Sequence, residues 1–520
     1  MSARSHRVGL LLSVALAGMA VLIIEITAIR MLAPFFGNSI FTISSVIGII
    51  LAALGLGYYL GGSLADRKPS AVWFFSLIVV AGFSVLLLQF LNAVLLPGMA
   101  YKLSLVDGPL IVSLLMFFLP ALFLAMLSPF AIKLLHAREA GRGVGNASGL
   151  VFFWSTLGSI SGSLATGFLL IPHWGIGSIV AGTGSGLALL GGVGLLATRG
   201  LPKILPLGLA FLGLISGTAL RQVAVADGPS VVFATDGLYE RIVIRDIPYR
   251  NRTARILLQD RNVSGGLYTD DGSMAFDYTQ YFDLYRLFIP ELKTALAIGG
   301  GAYTVPGSIL RDSPRARVDV AEIDPSLHAL ALRYFALPDN ARLRNHIIDG
   351  RRFLHDTAER YDLIFSDAYR SFVSAPPQFA TLEFFRLARS RLKENGVLIA
   401  NFYGSLAPET RATIYSVLRT MRAAFPQVYV FATVSPASEE LQNFIFVGHN
   451  ASNPGQRTDL QRAAAVEFAY PMLKGVAALE WRAADALLDP YPVLTDDFAP
   501  VEYYAANAIR RYDAISRGAR

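Results

Sequence analysis

Cysteine is absent from all 520 residues. Its absence excludes disulfides, zinc thiolate sites and cysteine nucleophiles, and leaves the redox compartment unread. Charge is scarce as well: Asp, Glu, Lys and Arg make up 16% of the chain against 53% hydrophobic residues, where soluble domains carry about a quarter charged. Acids are nearly missing from residues 1–224, which hold four Asp/Glu and twelve Lys/Arg and leave 34 and 33 to residues 225–520. The net charge of +7 therefore belongs to the apolar half. A basic chain raises nucleic acid as a partner, but this excess lies in short loops between apolar runs, so no nucleic acid is expected. Also lacking are a Walker loop, a zinc motif and a serine nucleophile elbow. Asp496 and Asp497 in "TDDFAPVEYY" have no histidine beside them, so no metal is expected and the tail is read as docking on the sheet.

What the first half does contain is seven stretches that approach the roughly 20 apolar residues of a bilayer crossing: 8–30, 41–64, 72–96, 110–134, 148–171, 176–198 and 204–221. Arg4 and Arg7 precede the first, which is too long for a signal peptide and is read as an uncleaved helix. Assigning loops alternately puts nine basic residues on the N-terminal side, among them Arg67, Lys68 and Lys133, against Arg30, Lys102 and Arg221 on the other. The positive-inside rule makes the first side cytoplasmic, so a multi-pass protein of the inner cell membrane is expected, with the bilayer as a partner. Seven crossings would place the rest of the chain outside, and a re-entrant 204–221 would return it to the cytoplasm. The spans are rich in Gly, Ala and Ser, as in "STLGSISGSLATG" (155–167), where small residues let helices approach closely.

From 225 onward, alternation replaces continuous hydrophobicity. "YERIVIRDI" and "ARILLQD" read as strands and "YTQYFDLYRLF" (278–288) as helix. Strand patterns then interleave with helical ones, which predicts a doubly wound, mostly parallel sheet. The expected division is a membrane bundle over 1–224, a β-hairpin region over 225–290 and an α/β Rossmann-like domain over 291–520. Gly299, Gly300 and Gly301 end its first strand, where small residues permit a tight turn and close backbone approach to a ligand. Glu322 stands 21 residues after Gly301, where an acid at a second-strand tip binds a ribose diol. Asp349 and Asp367 close two further strands. Residues at the carboxyl ends of adjacent parallel strands converge on one crevice, so the three acids are expected together.

The run from "LYERIVIRD" through "ILLQD", "YTQYFDL", "IGGG", "VAEID", "IIDG", "YDLIFSDAY" and "LKENGVLIAN" resembles the spermidine synthase family of polyamine aminopropyltransferases, over roughly 235–450. The segments "LAPFFGNS", "GYYLGGSLADRKP" and "LTDDFAPVEYY" are similar to its membrane-bound bacterial branch. The resemblance implies a methyltransferase-type fold and transfer of an aminopropyl group from decarboxylated S-adenosylmethionine to an amine such as putrescine, with no permanently bound cofactor. It implies Glu322 on the ribose hydroxyls, Asp349 on the adenine amino group, Asp367 as general base, and Tyr281 and Ser264 in the acceptor pocket. It departs from the family where Ala302 replaces an acid of the glycine loop, where Arg370 in "DAYRS" stands at a second acid's place, and where Phe282 follows the pocket tyrosine. Arg370 suits a donor that keeps its carboxylate, or an anionic acceptor. The readings left open are an S-adenosylmethionine-dependent transferase with another, lipidic acceptor, and a transporter or sensor with a non-catalytic nucleotide domain; a homodimer is left open too.

Overall fold

A computed structural model describes residues 3–100, 102–138, 143–198, 211–212, 215, 230–260, 262–368, 376–453 and 455–518. The chain divides into two compact units, Met1–Pro229 and Ser230–Arg520.

Among the described residues of the first unit six helices are long and apolar enough to cross a membrane: α1 Arg7–Phe36, α2 Ile40–Arg67, α3 Ala71–Ala100, α4 Gly108–Ala137, α5 Val144–His173 and α6 Ile176–Leu196. Each contains most of one expected span. The seventh, 204–221, lies outside the described residues except for Phe211, Leu212 and Ile215. Ser39 and Ser70 cap α2 and α3 by accepting from the N–H groups of Thr42 and Val72, the role small hydroxyl side chains serve at helix starts. Where α1 meets α5, a Cβ on Gly158 would stand 1.9 Å from the Ala15 carbonyl oxygen. A Cβ on Gly61 of α2 would lie 2.5 Å from the Met126 carbonyl oxygen of α4. Small residues at these crossings let the helix backbones approach closely.

The second unit opens with an antiparallel meander, β1 Val231–Asp236, β2 Arg241–Tyr249, β3 Arg252–Gln259 and β4 Asn262–Tyr268. A short helical turn, Asp277–Gln280, and a 3₁₀ segment, Tyr281–Leu287, lead to a seven-stranded sheet. Its elements are β5 Thr294–Ile298, α7 Thr304–Asp312, β6 Arg317–Glu322, α8 Leu327–Tyr334, β7 Leu343–Ile347, α9 Gly350–Asp356, β8 Tyr361–Ser366, α10 Leu382–Ser390, β9 Leu392–Gly404, α11 Ala412–Arg422, β10 Gln427–Ala432 and β11 Gln442–His449. The strand order is β10-β11-β9-β8-β5-β6-β7. Strands β7, β6, β5, β8 and β9 run parallel, while β11 pairs antiparallel with both β9 and β10. The sheet is thus mixed: the link from β10 to β11 is too short for the crossover a parallel pair needs.

Strands buried on both faces read as continuous apolar runs, and alternate residues feed two cores. Leu363, Phe365, Val397 and Ile399 face one core, and Ile364, Leu398 and Ala400 the other. The chain starts in mid-sheet at β5, builds outward to β7, and returns across to β8. That reversal opens a crevice at the carboxyl ends of β5 and β8.

Replacing Gly158 by Leu is expected to force α1 and α5 apart and to lower the stability of the purified protein by about 1–3 kcal/mol. Thermal unfolding in detergent checks it, and an unchanged midpoint would show that the close approach contributes nothing.

Candidate active site

The glycine loop follows β5 and turns through Gly299 (φ +88°) and Gly301 (φ +51°), a region of backbone space that glycine enters without steric cost. A Cβ on Gly301 would lie 2.3 Å from the Ser264 carbonyl oxygen, and the same oxygen accepts from the Ala302 N–H at 2.9 Å. Ser264 on β4 therefore braces the loop through its backbone. Tyr303, also left-handed at φ 55°, sends its hydroxyl beneath the loop to donate to Asn345 Oδ1 at 2.6 Å.

Glu322, at the carboxyl end of β6, accepts from the Gly300 N–H at 2.6 Å and from the Asp324 N–H at 2.8 Å. Burial raises its pKa above the ordinary carboxylate value, against the pull of these backbone donors. Asp349 follows β7 and caps α9, with Oδ1 accepting from the N–H groups of Arg351 and Arg352, each at 3.0 Å. Asp367 follows β8, and its N–H donates to the Ile298 carbonyl at 3.2 Å. Its Oδ1 accepts from Asn401 Nδ2 at 3.0 Å. Burial raises the Asp367 pKa to about 7, opposed by hydrogen bonds from Asn401 and Tyr278.

Glu322, Asp349 and Asp367 line one cavity of about 280 Å³ together with the three glycines and Ser264. The crevice rule for strand ends brings them together as expected. Tyr281 does not join them. It is fully buried among Phe282, Leu284 and Tyr285, because the run "YFDLYRL" turns nearly all its side chains into the core. Tyr278, three residues earlier, lines the cavity instead, followed by Thr279 rather than Phe282. Arg370 lies outside the described residues. Sequence reasoning also missed Asn401 and Tyr403 on β9, Asn443 on β11 and Glu240 before β2, all on the cavity wall. Asn401 was within reach of the strand-end rule that found Asp367. The tail is held as expected: Asp496 accepts from Arg351 Nη1 at 2.7 Å and from the Thr381 hydroxyl at 2.8 Å. Among the described residues no cluster of acids or histidines could hold a metal.

Comparison with known proteins places this geometry. Residues 282–456 match the family described as the spermine/spermidine synthase domain. The chain is 27% identical over 290 residues to a polyamine aminopropyltransferase of Vibrio vulnificus, covering 52% of this chain and 90% of that one. It is also 27% identical over 438 residues to a polyamine aminopropyltransferase of Corynebacterium efficiens, covering 80% of each chain. The second coverage exceeds what the C-terminal unit alone could supply, so that likeness extends into the helices. A crystal structure of a probable spermidine synthase from Corynebacterium glutamicum superposes with a TM-score of 0.41 at 21% identity, over 50% of this chain and 92% of that one.

A carboxyl whose folded pKa is raised favours folding below its ordinary pKa, and that contribution is lost as pH rises through the folded value, here about 7. Asp367→Asn, which cannot ionise, is therefore expected to be more stable than the parent at about pH 8, by roughly 1–3 kcal/mol, and to lose that advantage progressively as pH falls from about 7 to below the ordinary value of 3.8. Thermal unfolding of both proteins across this range tests it; parallel profiles would refute the raised pKa.

Proposed function

The chain belongs to the spermidine synthase family, and from that premise we propose that the cavity moves an aminopropyl group from decarboxylated S-adenosylmethionine to a small amine, of the class that includes putrescine. The family match does not favour a lipid acceptor or a nucleotide domain without catalysis. The observation that carries the reading is Asp367: a carboxyl with pKa about 7, at the strand end between the glycine loop and β9.

The chemistry asks little covalent work of the protein. A lone pair on the acceptor nitrogen attacks the aminopropyl carbon next to sulfur. The C–N bond forms as the C–S bond breaks, and its electron pair returns to sulfur, turning a sulfonium into the neutral thioether of methylthioadenosine. The nitrogen, now carrying an extra bond, gives its proton to Asp367. A base with a pKa near the working pH is well matched to this task. It is ionised in about half the molecules at neutrality and still basic enough to take the proton.

The donor's nucleoside fits the remaining acids. Glu322 is held by the backbone N–H groups of Gly300 and Asp324, one on each oxygen, with a further contribution from Gly301, and its carboxyl faces the cavity where the ribose hydroxyls would lie. Both helix bonds to Asp349 go to Oδ1, so Oδ2 is left to accept from the adenine amino group. Gly299 and Gly301 lie where a side chain would meet backbone, and their bareness lets the sulfonium end come close. Tyr278, hydrogen-bonded to Asp367, orients the base.

The six long apolar helices support residence in the inner cell membrane with a cytoplasmic N-terminus, as the distribution of basic residues requires. Six crossings, with 204–221 re-entrant, return the chain to the side on which it began. A cytoplasmic C-terminal unit then meets its donor directly.

Asp367→Asn should lower kcat by roughly 10²–10⁴-fold, read as methylthioadenosine released from decarboxylated S-adenosylmethionine. In the parent, kcat/KM should rise with pH and level off above about 7. Asn401→Leu removes a hydrogen bond that holds the carboxyl down, so the midpoint should move upward; a profile unmoved by this change would separate Asp367 from the titration. A fluorescent reporter fused to the C-terminus should glow in cells, whereas a reporter active only outside the membrane would place the catalytic unit on the wrong side.

A further inference from the structure

The cavity is not uniformly acidic, and its charge is laid out along the strand order. Asp349 follows β7, Glu322 ends β6 and Asp367 follows β8. The remaining lining carboxylate, Glu240, belongs to the turn before β2. A Cβ on Gly237 of that turn would lie 3.3 Å from Asp324 Oδ2, just beyond β6, which puts this turn at the donor's end. Neighbouring strands are about 4.8 Å apart, so β6 and β9, three steps apart in the sheet, are separated by roughly 14 Å.

Beyond Asp367 the described wall carries no carboxylate. Asn401 and Tyr403 project from the same face of β9, two residues apart, and Asn443 on β11 pairs directly with Tyr403. All three line the cavity. The chain from Ala368 to Leu382 contains no Asp or Glu at all. The acids nearest in sequence to β9 and β11 on this side, Glu409 and Glu439, pair with Arg511, and Glu440 is exposed and outside the lining. Two residues along a strand cover about 7 Å, the reach of a short carbon chain whose near nitrogen lies at Asp367. Among the described lining residues a second ammonium at that distance would lose hydration and meet amide and phenol groups but no carboxylate, and burying a charge without a charged partner is costly. A neutral hydroxyl or amide there would find hydrogen-bonding partners instead.

Resting on the aminopropyl reading, we infer that the acceptor is a monoamine with a neutral, hydrogen-bonding far end, held by Tyr403 and Asn443. The bonds made and broken are those already described; what changes is the partner offered to the end of the acceptor that does not react.

The test compares 4-amino-1-butanol with 1,4-diaminobutane, equal in length and differing in one terminal group. The full-length protein is supplied with decarboxylated S-adenosylmethionine, and methylthioadenosine release is followed. The hydroxyl compound should have the higher kcat/KM by at least about tenfold. Asn443→Asp should reverse the order by giving the second ammonium a carboxylate. Tyr403→Phe should raise KM for 4-amino-1-butanol while leaving that for n-butylamine unchanged. Preference of the unaltered protein for the diamine overturns the inference, as does Asn443→Asp leaving the order as it was while the variant still turns over. Release of methylthioadenosine with none of the amines overturns the aminopropyl reading itself, and this inference with it.

Discussion

Glu322 grips two backbone N–H groups, those of Gly300 and Asp324, and the whole cavity is arranged around that grip. The bond to Gly300 ties the loop after β5 to the end of β6, and Ser264 holds the same loop from the β4 side. A loop tied on both sides has one shape, which the glycines can adopt and larger residues cannot. The floor of the pocket is therefore set before any ligand arrives, and binding need not supply the entropy of ordering it. Glu322 achieves this at a cost: it is 6% exposed, and burial raises its pKa. Backbone donors oppose that rise, since hydrogen bonds to the charged form favour it.

The same balance, tipped differently, separates the roles of the acids. Glu322 meets N–H groups on both oxygens, and Asp349 sits at the N-terminus of α9, where backbone donors collect. Asp367 has no backbone donor to its carboxylate among the described bonds, only side-chain partners, Asn401 and Tyr278. Burial without that backbone help leaves it half-ionised near neutrality. Two acids fixed by backbone N–H groups suit holding hydroxyl and amino groups, and one whose pKa lies near neutrality suits proton exchange.

Much of this was legible in the sequence because it follows from position along strands. A strand buried on both faces shows as an apolar run, the residue after its carboxyl end lies at the crevice, and three acids stood at three such places. The glycine turn was readable for the same reason. Tyr281 was misread because periodicity does not tell which tyrosine of "DYTQYFDLY" faces the cavity: the choice depends on a short helical turn passing into a 3₁₀ segment whose side chains the core absorbs. The antiparallel β10–β11 pair was hidden because either direction gives equally apolar strands. Asn443 and Glu240 were invisible for a different cause. Each reaches the wall from a separate part of the chain, Asn443 through the register of β11 on β9, and no local pattern records such a meeting.

The two units solve opposite problems with the same chain chemistry. The helices meet where glycine brings one backbone against another, and an added methyl at Gly158 would collide at 1.9 Å. In the second unit water supplies the driving force, and both faces of the sheet bury large aliphatic and aromatic side chains. Packing of that kind leaves few openings. The exception is where the strand order reverses, because the helices that follow β5 and β8, α7 and α10, pack on opposite faces of the sheet. The cavity is thus a consequence of topology, and its polar lining follows from it. Strand ends expose backbone and carry the turn residues, so the carboxylates, amides and glycines that cannot join either core collect at a place where a ligand has room.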